Sequence, residues 1–348
     1  MQEVNREKIM NMSQNVKPEE MRHFGKYLLA HPEMVQLCLA KSRFISAVRA
    51  FLDNHGAVEL QMPNLHRFRE GAPVHQFTTT HPTTGERFYL RHCMEDHLRR
   101  ATTVFERVYD IGKAFRVEDE DRSRAIEFLV LEFVGRGIKY QDGVAMVCQM
   151  ISQAVQKAFS SEYALFVDLR SIEFVSFRAV FKSILGFEIS DPALETKARA
   201  ALDSVKAPVL RQQCYEWEIF EELMKHIVEP RLINPTAITD FPKSLQHVCS
   251  IDASTGYATR FSIIANGIEI CDGGVKFEAP EDYQRVYNEN AQYRATHLGI
   301  TDNEEPVEFY TDISLQREPV FTFGLGVDRC LAVSANKTVH EITLFPFH

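Results

Sequence analysis

FGLGVDRCLAV (residues 323–333) sets Gly324, Gly326 and Arg329 in an otherwise apolar run near the C-terminus. Gly-x-Gly ahead of apolar residues is a common way to turn a strand into a helix, because glycine accepts positive φ and close backbone approach. The arginine is the odd element. It follows Asp328 and opens a helix whose apolar face carries Leu331 and Val333. A guanidinium placed there is costly unless it meets an anion. Asp328 is one candidate partner and a bound anion is another, so the stretch has to be read against the rest of the chain.

The chain has 348 residues, room for one large core or two small domains. Its composition, 45% hydrophobic and 25% charged, is that of an ordinary globular protein. A net charge of −9 argues against holding nucleic acid by broad phosphate neutralisation, while leaving room for a local basic patch. The seven cysteines are scattered, and none sits in a CxxC pair or a cluster with histidine, which predicts reduced thiols and no structural zinc. The polar start MQEVNREKIMNMSQNVKPEEM lacks the apolar segment of a signal peptide, and no stretch reaches the length of a membrane span. A cytoplasmic protein with no membrane partner is expected.

Periodicity gives a coarse layout. Helix is expected from Pro18 to about Leu37. A second helix follows in KSRFISAVRAFLDNH, where Phe44, Ile45, Val48, Phe51 and Leu52 recur at helical spacing. AVELQMP and GERFYLRH read as strands and MEDHLRRATT as helix. RVYDIGKAFRVED and IEFLVLEFVGRG read as two strands around the charged loop EDEDRSRA. Helix is expected over 141–160, 170–185 and much of 190–227. TRFSIIANGIEICDGGVKF reads as a hairpin turning at Asn266-Gly267, and APEDYQRVYNENAQYRATHLG as a helix opened by Pro280. The whole predicts an α+β fold, mostly antiparallel sheet with flanking helices.

The loop EDEDRSRA carries the densest chemistry. Arg116 and Glu118 share one face of the first strand, Arg122 and Arg124 lie in the loop, and Phe128 and Glu132 share a face of the return strand. Arginine forks onto phosphate, an aromatic ring stacks on a base, and a carboxylate accepts from an exocyclic amine. The set suits a nucleotide, and it equally suits an exposed, salt-bridged hairpin.

Three separated segments resemble motifs 1, 2 and 3 of the class II aminoacyl-tRNA synthetases, in that order: FLDNHGAVELQMPNL, FRVE with IEF, and GLGVDR. The likeness is nearest to the lysyl branch, and FEELMKHIVEPRLINPTAITDFPKSL and EITLFPF extend it, so that it covers roughly residues 41–348. It implies a catalytic domain over 41–348 behind a polar and helical extension at 1–40, and a homodimer built on motif 1 around Pro63. It implies ATP and Mg²⁺ as cofactors. By this resemblance Arg329 holds the γ-phosphate of a bent ATP, and Arg116 holds the α-phosphate and the substrate carboxylate. Glu118 meets the adenine amino group, Phe128 stacks on the adenine opposite Arg329, Arg122 or Arg124 reaches the outer phosphates, and Glu269 binds the metal. Gly71 and Glu95 match positions that hold a substrate α-amino group, and Glu132 matches a pocket carboxylate.

The sequence also departs from the lysyl pattern. Too few residues precede motif 1 for the anticodon-binding barrel of full lysyl-tRNA synthetases, so a free-standing core acting on another acceptor, a protein amine or a small molecule, is expected and tRNA is disfavoured. In EICDGGVKFE, Asp272 stands for an asparagine and Lys276 for the glutamate that receives the lysine ammonium. Aspartyl and asparaginyl enzymes have an arginine at this point, although the lysine that aspartyl enzymes carry near motif 2 is Leu98 here. A cation in place of an anion disfavours a lysine side chain by on the order of a few kcal/mol in a desolvated site. Lys276 then either receives an acidic or amide side chain or is neutralised by Asp272 or Glu132. Ser262 replaces an acidic second magnesium ligand. The expected function is activation of an amino acid other than free L-lysine as its adenylate, followed by transfer. The alternatives are a degenerate paralogue that binds amino acid or nucleotide, and a tRNA-charging enzyme with anticodon recognition in trans. Cys271 and Cys330 flank the site and read as small core residues.

Overall fold

The computed structural model describes residues 24–117, 121–159, 165–301 and 306–343. The strands are β1 (Val58–Glu59), β2 (Leu65–His66), β3 (Thr78–Thr80), β4 (Arg87–Leu90), β5 (Arg107–Phe115), β6 (Glu127–Arg136), β7 (Glu173–Ser176), β8 (Thr236–Thr239), β9 (Arg260–Ala265), β10 (Ile268–Val275) and β11 (Val320–Gly326). Eight of them form one sheet in the order β1-β5-β6-β11-β10-β9-β8-β7, and β2-β4-β3 form a small second sheet. Strands β5 to β8 along that order are antiparallel, and only the edges β1 and β7 pair in parallel. The α+β expectation holds.

Alternation along the strands sorts the two faces. Leu131, Phe133, Phe323 and Leu325 point to one side and pack with the helices Pro32–Asn54, Tyr140–Ala158 and Val327–Ala335. Val130 and Val134 point to the other side, where the helix Glu95–Ala101 lays Leu98 over them. A second core gathers the helices Phe177–Leu185, Leu194–Ser204 and Glu216–Leu223 around Ile238, Phe241 and Ile264 at the β8 end.

Local expectations fare unevenly. The hairpin turns where the sequence places it, with Asn266 at φ 51° and Gly267 at φ 72°, the left-handed pair that a two-residue loop requires. The first two helices divide elsewhere: Pro32 opens one helix that runs to Asn54, so Met34, Leu37 and Ala40 are buried in the same core as Phe44 and Val48. That helix crosses the expected division between residues 40 and 41. The span 170–185 begins as β7, because Glu173–Ser176 pairs in register with Thr236–Thr239; Ser176 Oγ then caps the helix by accepting from Ala179 N. AVELQMP contributes only β1, held against β5.

Gly273 and Gly274 let β10 lie flat between its neighbours. A Cβ on Gly273 would come within 2.2 Å of Thr322 O, and one on Gly274 within 2.1 Å of Thr259 O. No side chain fits at either position without moving a strand.

Candidate active site

Strand pairing lines up one row across the open face of the sheet: Asp110, Glu132, Gly324, Asp272, Ser262 and Ile238 are successive cross-strand partners on β5, β6, β11, β10, β9 and β8. Four polar side chains on one face of a central sheet, with a glycine between them, form the floor of a cleft and not of a core. A bulge between Glu269 and Cys271 re-aims Glu269 onto this floor, where its Oε2 accepts from Ser262 Oγ at 3.0 Å.

The cleft has two lobes that meet at Arg116, Ser123, Arg124, Glu269 and Arg329. The larger, of about 570 Å³, runs past Glu229, Arg260 and Ser262. The smaller, of about 230 Å³, runs past Phe128 to Cys93, Glu95, Glu132 and Asp272.

Arg329 spans the junction: Nε donates to Ser123 O and Nη1 to Glu269 O, both at 2.9 Å. Asp328 is not its partner. That carboxylate is buried, accepts from Leu129 N at 2.9 Å and pairs with Lys41. Arg116 lies with its guanidinium carbon 5.2 Å from the centre of the Phe128 ring, and its buried Nε has no hydrogen-bond partner among the described residues. Burial and then the charge of Glu269 push the Glu229 carboxyl up to about 7, while Arg329 and Arg124 pull against them. Glu269 is raised as well, first by burial and then by Asp272.

The smaller lobe ends in two ion pairs. Lys276 Nζ is 2.9 Å from Glu95 Oε2. Burial opposes the charge on Lys276, but Glu95 outweighs it and holds the ammonium above its ordinary value. The neutralising partner is therefore Glu95, and neither Asp272 nor Glu132. Asp272 Oδ2 is taken by Arg260, whose Nε and Nη2 approach to 2.9 and 2.8 Å. Glu132 Oε2 accepts from Met94 N at 2.7 Å.

The structure brings Arg116, Arg124, Phe128, Glu269 and Arg329 together, and Glu95, Glu132, Asp272 and Lys276 beside them. Arg122 lies outside the lining of both lobes, and Glu118 is outside the described residues. Gly71 packs on the helix Pro280–Tyr293, and Asn290 Nδ2 in that helix and Arg294 Nη1 just beyond its end already donate to its carbonyl at 3.1 and 2.7 Å. Sequence reasoning missed Glu229 and Arg260. The VEPRL run gave no local signal for the first, and the basic first residue of β9 reads as an ordinary strand opening. It also missed the adjacency of His92 and Cys93, which the fold joins to Glu70; the expectation of no histidine–cysteine cluster fails there.

The profile of the tRNA synthetases class II (D, K and N) matches residues 18–348. The chain is 28% identical over 340 residues to the lysine–tRNA ligase of Dehalococcoides mccartyi, covering 94% of this chain and 68% of that protein. It is 26% identical over 348 residues to lysine–tRNA ligase 2 of Methanosarcina mazei, covering 95% and 66%, and 25% identical over 345 residues to the lysine–tRNA ligase of Moorella thermoacetica, covering 95% and 69%. It thus spans about two thirds of the length of these relatives. Among the described residues no helix is long and apolar enough to cross a membrane.

Burial, followed by the charge of Glu95, pushes Glu132 up to about 8. A carboxyl whose folded pKa exceeds its unfolded one stabilises fully below the unfolded value and loses that contribution as pH rises through the folded one. Glu132→Gln keeps an oxygen for Met94 N. From urea unfolding it is expected to match the parent in stability near pH ~4.5 and to exceed it by at least ~1 kcal/mol near pH ~8.5. A gap that does not change with pH would contradict this electrostatic account.

Proposed function

We infer the activity from a premise that now stands: this chain belongs to the class II tRNA synthetase family of the D, K and N enzymes. Its named relatives are ligases. We propose that it joins an amino acid to ATP as an aminoacyl-adenylate and then passes the acyl group to an acceptor. The substrate carboxylate oxygen bonds the α-phosphorus, the bond to the β-phosphate oxygen breaks, and pyrophosphate leaves.

The observation that carries the proposal is the junction of the two lobes. Arg116, Arg124 and Arg329 converge there on Glu229 and Glu269, and the buried Arg116 Nε awaits an acceptor. Arg116 would hold the attacking carboxylate and the α-phosphate together and offset the charge that builds between them. Phe128 would stack on the adenine. Arg329, braced by two carbonyls, would meet the outer phosphates, with Arg124 beside it.

Magnesium fits this donor set. Glu269 raises the cost of ionising Glu229, and Asp272 that of Glu269, in a desolvated cleft, and hard carboxylate oxygens beside a phosphate site suit that ion. Glu269 and Glu229 would hold it, and it would supply charge neutralisation at the phosphates. Ser262 then serves by orienting Glu269.

For the amino acid, Lys276 carries the argument. An incoming lysine would bring a second buried ammonium to a lobe whose Lys276 already occupies Glu95. Two internally neutral pairs, Lys276–Glu95 and Arg260–Asp272, favour a small polar side chain. The α-ammonium would approach Glu132. For the acceptor we propose a protein amine or a small molecule, in keeping with the net charge of −9. Ser262 also favours a second reading, a protein that binds ATP without turnover.

Pyrophosphate exchange with Mg²⁺ across a panel of amino acids tests this directly. A small polar amino acid is expected to support exchange, lysine to be silent, and Arg116→Ala to lower exchange by at least ~100-fold. Robust lysine-dependent exchange would overturn the pocket argument. Silence across the panel, with ATP still bound, would favour the second reading. A homodimer is proposed on the motif 1 segment, where Val58, Pro63 and Leu65 stand exposed; a monomeric mass by light scattering would remove it.

A further inference from the structure

Beyond the residues assigned to ATP, a second set of side chains converges beneath the amino-acid end of the cleft. Strand β2 pairs with β4 in the register Leu65↔Leu90 and His66↔Tyr89, which draws the segment after β2 against the turn after β4. Glu70 comes from the first segment, His92 and Cys93 from the second. A carboxylate oxygen, an imidazole nitrogen and the thiol sulfur of these three all lie within 4.8 Å of one another.

The set is enclosed and pre-oriented. Glu70 is 5% exposed and His92 7%. His92 Nδ1 is paired with the Glu70 carboxylate. Cys93 Sγ is 3.7 Å from Glu70 Oε1 and lines the smaller lobe beside Glu95 and Glu132. His92 N and Gln76 Nε2 fix the carboxylate by donating to Oε2 at 2.8 and 2.9 Å, and Gln76 is itself tied to Leu90 O at 3.0 Å. His66 Nδ1 backs the other oxygen at 3.4 Å.

An ion pair between His92 and Glu70 would explain two of these groups. With the Cys93 thiol donating to Glu70 Oε1 at 3.7 Å, it describes the metal-free state, in which all three donors already face one point within metal-ligand reach. A mixed nitrogen, sulfur and oxygen set is what zinc takes, and magnesium takes oxygen. Zinc ligands are also held by outer hydrogen bonds of the kind that Gln76 and the His92 amide make.

We propose that Glu70, His92 and Cys93 form a zinc site, with Gln76 as a positioning residue. Cys93 loses its proton to solvent when the metal binds. Three protein ligands leave one position of a tetrahedral ion for water or a substrate atom, and Cys93 puts that site at the wall of the smaller lobe.

The test uses the full chain and does not depend on turnover. The protein is loaded with zinc, dialysed against metal-free buffer and analysed by mass spectrometry for metal; roughly one zinc per chain is expected. Cobalt put in its place should give a thiolate-to-metal charge-transfer band. Cys93→Ser should abolish that band, and Cys214→Ser should keep it. Zinc affinity should fall ~10–100-fold in Gln76→Ala and further in Cys93→Ser. Circular dichroism shows whether each variant folds, and if Cys93→Ser does not, the cobalt spectrum of the parent decides alone. Zinc lost on dialysis, a cobalt spectrum without the thiolate band, or a band untouched in folded Cys93→Ser would each overturn the site.

Discussion

Arg329 ties together the two parts of the sheet that any nucleotide chemistry would need. Its hydrogen bonds reach Ser123 O in the loop between β5 and β6, and Glu269 O on β10. The neighbouring Asp328 is spent on Lys41 and Leu129 N, which fixes the start of the last long helix to the first one and to β6. One dipeptide thus locks the helix below the sheet and aims a guanidinium above it. The two glycines before it belong to β11, where Gly324 lies between Glu132 and Asp272 in the polar row and keeps the floor open.

The electrostatics of the cleft follow from that geometry. Glu132, Glu229 and Glu269 are all raised, in each case by burial first and by another carboxylate next. Such a floor persists because bases are interleaved with it: Arg260 on Asp272, Lys276 on Glu95, and Arg329 and Arg124 facing Glu229. Strain of this kind is costly to a fold and useful to a site that must take a cation and a polyphosphate together.

How much of this could be read beforehand depended on distance along the chain. The Asn266-Gly267 turn, the strand-glycine-helix unit and the Arg116–Phe128 hairpin are local, and their backbone chemistry shows in the letters. The fold class followed from them, together with the family likeness. The ion pairs were not legible. Lys276 meets Glu95 only because β10 ends beside the helix that follows β4, and that follows from strand order and not from spacing. Glu269 reaches the floor through a bulge that alternation cannot reveal. The break at Pro32 was legible, since proline favours the first turn of a helix, and the apolar spacing across residues 34–48 should have outweighed the division set at residue 40.

The central claim is that the junction of the two lobes binds ATP through Arg116 and Arg329. Calorimetric titration of a non-hydrolysable ATP analogue with Mg²⁺ tests it most directly. One site per chain is predicted, weakened by at least ~10-fold in Arg329→Ala and in Arg116→Ala while both variants stay folded. No heat of binding in the parent, or equal affinity in both variants, would contradict the account.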